Sequence, residues 1–212
     1  MRAPSAGSGA PPPPHLAFAG CGAVVQRRAL EAIIRADTDL MNILTLARGL
    51  ALADCWLVSG ILYQTVWNAL TERPARYGQK DADLVYFDAS DLSYEAEDRV
   101  IRRAIAVFTD VSRPVEVRNQ ARVHLWYEAR FGAPYAPLAS ATESLTRYAA
   151  VTHAVAVRLE ADGSLSIEAP FGLEAIFSFR LVPNRVIDNR RTYAAKAERM
   201  VRLWPELTVE AW

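Results

Sequence analysis

The chain has 212 residues, 24 basic and 24 acidic, and 51% of it is hydrophobic. That length builds one large domain, or one domain with an appendage, around a substantial core. A net charge of zero with 23% charged residues excludes a disordered polyelectrolyte and gives no strong nucleic-acid signal, leaving a local basic patch as the one way to attract a polyanion.

Residues 1–22 are rich in Ala, Pro, Gly and Ser and are expected to form a disordered tail, because they bury too little apolar area to offset ordering entropy. Within them Ala17-Phe18-Ala19-Gly20-Cys21 loosely matches a lipoprotein cleavage box. Pro11 to Pro14 stand where a signal needs its apolar core, and the apolar run of about five residues falls short of the roughly 7–15 required, which argues against lipidation. From Val24 onward Leu30, Ile33 and Ile34 follow helical spacing, and a second helix is expected over about 38–52, capped by Asp37 or Thr38. Cys55 to Val58 reads as a short buried strand ending at Ser59-Gly60, followed by a helix over about 61–72 that Pro74 closes. The apolar run from Leu50 to Ile61 is too short to span a membrane and is broken by Asp54. With two cysteines, Cys21 and Cys55, there is neither a disulfide framework nor a zinc cluster, which fits a cytoplasmic protein.

Lys80 to Asp88 is a strand that begins polar and turns apolar. Ser93, with Glu95, Glu97 and Asp98 behind it, opens a helix over about 94–108 whose first turn carries the acidic charge that the helix dipole favours. Pro114 to Val117 is the third strand, and Ala121, Leu125 and Ala129 repeat at four, predicting a helix over 119–129. Ser140 and Glu143 make a capping box for a helix to about Ala149. Asp162-Gly163 joins two alternating segments, 152–159 and 164–169, as a hairpin. A short helix at 171–177 and a last one at 191–203 complete the chain. This order argues for an α+β domain over 23–212, with a core at about 38–135 and a C-terminal appendage of hairpin and helices at about 140–212.

The chemistry concentrates in Asp81-x-Asp83. Residues i and i+2 of a strand share a face, so both carboxylates project together, opposite Leu84 and Tyr86. Two such carboxylates repel unless a cation intervenes, and an oxygen-only donor set suits Mg2+ or Mn2+. Glu116 points to the corresponding face of the third strand and joins the pair if the two strands are neighbours, giving a site for two metals that clamps a phosphoryl displacement. Ser59-Gly60, between a strand and a helix, offers backbone amides to phosphate oxygens. Each element alone is common; their order is specific.

The stretch from about Asp54 to Leu207 resembles a bacterial family of nucleotidyltransferase-like proteins within the DNA polymerase β-like superfamily. The resemblance is carried by Trp56 to Gly60, Thr65 to Asn68, Lys80 to Asp88 and Val115 to His124. It continues through Ala169 to Leu173, Pro183-Asn184, Lys196 and Trp204-Pro205. It implies a mixed β-sheet with flanking helices and a metal-dependent nucleotide site. Asp81 and Asp83 match the metal pair, Glu116 the third carboxylate that helps activate the acceptor hydroxyl, and Ser59-Gly60 the nucleotide-phosphate turn. The implied activity moves a nucleoside monophosphate from a nucleoside triphosphate to an unknown acceptor and releases pyrophosphate. The chain departs from the pattern at Tyr63-Gln64, where many relatives carry Arg-Asn, which motivates the alternative of a catalytically inactive nucleotide-binding or sensor module. A third class is a toxin–antitoxin component.

Beside these, Lys80 is positioned to touch a phosphate or to damp aspartate repulsion. Asn119 is positioned to hydrogen-bond a base or sugar, or to satisfy loop backbone. His124 reads equally as a base or as a structural histidine, and His153 sits in the expected hairpin without a metal-spaced partner.

Overall fold

The computed structural model describes residues 13–212; the tail expected for residues 1–12 lies outside the described residues. Residues 13–22 are not tail-like. Pro14–Leu16 form a turn of 3-10 helix, the His15 ring meets the edge of Phe179 at 4.9 Å, and Phe18 meets Phe177 at 5.6 Å. Leu16 and Phe18 supply apolar anchors that compositional averaging hid, and Glu174 accepts from the Gly20 N–H at 3.1 Å.

Helix α1 (Ala23–Ala36) buries Ala29, Leu30 and Ile34 along one stripe. In α2 (Thr38–Gly49) the cap is Asp37, whose carboxylate accepts from the Leu40 N–H at 3.0 Å. Next come β1 (Trp56–Val58), α3 (Gly60–Leu70) and β2 (Ala82–Tyr86). Ser93 caps α4 (Tyr94–Val107), and β3 (Val115–Asn119) follows. The helix expected over 119–129 is broken: Asn119 ends the strand, Gln120–Leu125 is 3-10, and only α5 (Tyr127–Phe131) is α-helical. The Ser140 hydroxyl accepts from the Glu143 N–H as expected, but Glu143 reaches back to the Ala139 N–H, and the segment is 3-10 over Thr142–Arg147.

The chain then forms β4 (Ala156–Leu159), β5 (Leu165–Glu168), α6 (Glu174–Phe177), β6 (Arg180–Leu181), α7 (Arg190–Leu203) and β7 (Thr208–Val209). Five strands make one mixed sheet in the order β3-β2-β1-β4-β5. Within this sheet β2 and β3 are the parallel pair, joined through α4 as a parallel pair requires, and the other neighbours are antiparallel; β6 and β7 form a separate parallel pair. The β4–β5 hairpin pairs with β1, which makes it part of the central sheet. Its first strand begins at Ala156; Val151–His153, expected at the head of the hairpin, are a 3-10 turn.

Alternation along the strands sorts the two faces. Leu57, Leu84, Tyr86, Val117 and Val157 join the main core with the helices, whereas Val58, Val85, Trp56 and Ala156 form a smaller cluster on the other face. Asp83 and Glu116 belong to that second face. In the main core the Trp67 Nε1–H donates to Ile176 O and the Trp204 Nε1–H to Asn68 Oδ1, each at 3.0 Å, so both buried indoles are satisfied. Gly78 has φ +71°, and a Cβ there would lie 2.5 Å from the Trp204 ring. Gly78→Ala is therefore expected to lose about 2–4 kcal/mol in urea unfolding, from left-handed backbone strain plus overpacking; a loss under about 1 kcal/mol would contradict this packing. Among the described residues no helix is long and apolar enough to cross a membrane.

Candidate active site

The site begins where β1 meets α3. Ser59 is buried at φ 58°, a region that non-glycine residues seldom adopt, and its N–H is fixed to Val155 O at 2.8 Å. Its carbonyl accepts from the N–H groups of Leu62 and Tyr63. The amides of Gly60 and Ile61, ahead of that first turn, are the donors that a helix N-terminus leaves open for an anion.

Val58 stands opposite Asp83 across the antiparallel pair, and Asp83 stands opposite Glu116 across the parallel one. Neighbouring strands lie about 4.8 Å apart, so the two carboxylates occupy adjacent positions on one face. Asp81 lies just before β2 and is exposed, Asp83 is half-buried, and Glu116 is exposed with its carboxylate 3.2 Å from Arg118. Burial, then the negative charges of Asp81 and Glu116, push the Asp83 carboxyl up to about 6, with Lys196 and Arg118 pulling the other way. The three expected carboxylates thus act on one another, but among the described residues no three His, Cys, Asp or Glu side chains are gathered as a preformed metal cluster. The donor chemistry fits a hard divalent cation: every ligand atom is oxygen, and the burdened Asp83 is the group that a cation would relieve.

A cavity of about 150 Å³ opens here, lined by Ser59, Asp83, Tyr148, Ala149, Asn189, Thr192 and Lys196. Lys196 reaches in from α7; burial holds its ammonium below the ordinary lysine range, against the pull of Asp83 and Asp81. The Tyr148 phenol is pushed up by burial and by Asp83. Sequence reading did not assign a site role to Tyr148, Asn189, Thr192 or Lys196. One signal was available for Lys196, which with Lys80 makes the only two lysines among 24 basic residues.

Lys80 is exposed beside Asp81. Asn119 is tied to the backbone of the loop after β2. It is buried, its Oδ1 accepts from the N–H groups of Asp88 and Ala121, and its amide donates to Asp88 O at 2.8 Å. Three of its four hydrogen-bonding positions are spent on the loop, which is the backbone-satisfying alternative, and one amide N–H is left over. Tyr63 and Gln64 are buried too: the Tyr63 ring stacks on His153 at 4.8 Å, and Gln64 donates to the Tyr63 hydroxyl at 3.3 Å. Burial and the nearby Lys196 hold His153 well below the ordinary histidine range, so it is neutral.

The comparisons with known proteins bear on the family and the fold. A family profile described as "Nucleotidyltransferase" matches residues 45–209. A solved structure described as "The NMR structure of the protein reveals a CCA-adding enzyme head domain" is similar at TM-score 0.71 and 26% identity, covering 88% of this chain and 96% of that one. No curated protein matches the chain. With the matched segment spanning β1 through β7 and every carboxylate of the site, the chain belongs to the nucleotidyltransferase family.

Proposed function

We propose that the protein is a divalent-metal-dependent nucleotidyltransferase that takes a nucleoside triphosphate as donor. The observation that carries this reading is the direct opposition of Asp83 and Glu116 across β2 and β3, beside the strained Ser59 turn. The acceptor oxygen forms a bond to the α-phosphorus, the bond from that phosphorus to the bridging oxygen breaks, and pyrophosphate leaves. The exposed Glu116 carboxylate takes the acceptor proton and passes it to solvent. The amides at the start of α3 hold phosphate oxygens, and Lys196 meets the charge that builds on the leaving group. Asp81, Asp83 and Glu116 would hold Mg2+ or Mn2+, which when bound supplies charge neutralisation at the phosphoryl oxygens. Lys196 also brings a cation to the side of α3 where Tyr63-Gln64 offers none. The likeness to a CCA-adding enzyme head domain supports nucleotide addition.

The inactive-sensor reading has one observation in its favour, the pairing of Glu116 with Arg118 in place of an assembled carboxylate trio. Calorimetry with Mg2+ and each nucleoside triphosphate, read beside pyrophosphate release, separates the two. Binding with release supports the transferase; binding without release in the presence of cell extract supports the sensor. Lys196→Met is expected to lower release about 10²-fold while the fold is kept; unchanged release would remove Lys196 from the site.

A further inference from the structure

A groove of about 760 Å³ adjoins the cavity, sharing Asn189, Thr192 and Lys196 with it. Its walls carry Arg130 and Phe131 from the end of α5, and Arg190, Arg191, Lys196 and Arg199 from α7. The balanced net charge of the chain conceals this concentration. One carboxylate, Asp188, also lines it and accepts from the Arg190 backbone N–H at 3.2 Å.

Most cations of this protein are paired with carboxylates or carbonyls, and Arg199 itself donates to Gly78 O. Arg130, Arg190, Arg191 and Lys196 make neither an ion pair nor a side-chain hydrogen bond among the described residues; outside the groove only Arg28 and Lys80 share that state. Arg190 and Arg191 also open α7, which has no acidic residue in its first turn. Two cations at a helix N-terminus oppose the dipole, and among the described residues Asp188 is the single carboxylate lining the groove with them, against the four cations there that make no ion pair. An external anion offsets that excess. Phe131 is 51% exposed, with the Arg130 guanidinium 5.4 Å from its ring centroid. From Arg190 to Arg199 the helix advances about 14 Å at 1.5 Å per residue, enough to follow successive phosphates.

We infer that this groove binds a single-stranded nucleic-acid end, its phosphates on the α7 and α5 cations and a base on Phe131. Cations tracking a backbone beside an exposed aromatic are the recognition chemistry of unpaired strands, and a duplex hides its base faces. That the bound strand is the acceptor rests on the transferase reading; the binding itself does not.

The test is fluorescence anisotropy with a labelled single-stranded 12-nucleotide RNA, using the full chain and a salt series. Wild type binds, and Arg130→Ala/Arg191→Ala weakens binding at least tenfold. The variant also lowers the slope of log affinity against log salt by about 1.4, the sum for two lost phosphate contacts. Calorimetric binding of the nucleoside triphosphate is unchanged in that variant, and Arg130→Lys/Arg191→Lys retains most of the RNA affinity. Absence of RNA binding by wild type, equal affinity of the double alanine variant, or tighter binding of a duplex of the same length overturns the inference. So does a parallel loss of triphosphate affinity, which would make the groove part of the donor site. RNA binding by a wild type that releases no pyrophosphate would support the groove and overturn the transferase reading.

Discussion

Asp83→Asn is expected to lower nucleotidyl transfer by about 10²–10³-fold and, in the same protein, to raise the stability of the metal-free fold. The first effect follows from removing the most deeply placed carboxylate from the face that Glu116 and Ser59 share, where charge develops during transfer. The second follows from the environment of Asp83 in the absence of a cation. Its carboxyl is raised from 3.8 to about 6 by burial and by Asp81 and Glu116, so ionising it costs the folded state more than the unfolded one. Two units correspond to about 3 kcal/mol. Partial solvation at the cavity mouth reduces that to about 1–2 kcal/mol, or about 2–6 °C in Tm for a chain of this size. The sign is set by linkage: below about pH 4 the group is protonated in both states and contributes nothing, and the penalty grows as pH rises from 4 to 6 and is full above 6. The variant should therefore melt higher than wild type at pH 8 in chelator and equally at pH 4. A lower Tm at pH 8 would show that the Asp83 carboxylate is a net structural contributor.

Glu97→Ala is expected to lose about 3–5 kcal/mol in denaturant unfolding. Glu97 is 9% exposed; one of its oxygens accepts from the Asn119 N–H at 2.8 Å and the other pairs with Arg122, whose Nε–H donates to Leu92 O. Truncation leaves a buried guanidinium without its counter-charge and an amide without its acceptor, the situation in which breaking a buried pair is most destabilising. Glu97→Gln keeps the acceptor for Asn119 and is expected to lose less. Glu97→Ala/Arg122→Ala should lose less than the sum of the single variants, because the second removes the charge that the first strands. Simple additivity, or a loss under about 1 kcal/mol for Glu97→Ala, would show that the pair is solvated and not a tie between α4 and the end of β3.

What could be read from the sequence follows the range of the forces involved. The Ser93 cap, the Asp162-Gly163 hairpin turn and the alternation of Asp83 and Glu116 against their apolar neighbours are local, and the structure contains them; Asp81, expected inside the strand, lies just before it. The mixed sheet and the nucleotidyltransferase family were both legible, the second because the Ser59-Gly60 turn and the three carboxylates recur in a fixed order. Long-range partners were not legible. His15 and Phe18 looked like part of a tail because their anchors, Phe179 and Phe177, arrive from the far end of the chain. Glu97 read as a first-turn acid serving the helix dipole, whereas it is half of a buried ion pair. Asn119 looked available to a ligand because nothing local shows that Asp88 uses both ends of its amide. Lys196 enters the cavity from α7, and no spacing rule links it to Asp83.

The central claim is that these carboxylates work on a nucleoside triphosphate. Its most direct test is pyrophosphate release from each of the four ribonucleoside triphosphates with Mg2+ or Mn2+, with cell extract as the source of acceptor, wild type beside Asp81→Asn/Asp83→Asn. The account predicts metal-dependent release by wild type and its loss in the variant. Release by the variant at the wild-type rate, or none by wild type with any triphosphate or metal, would contradict it.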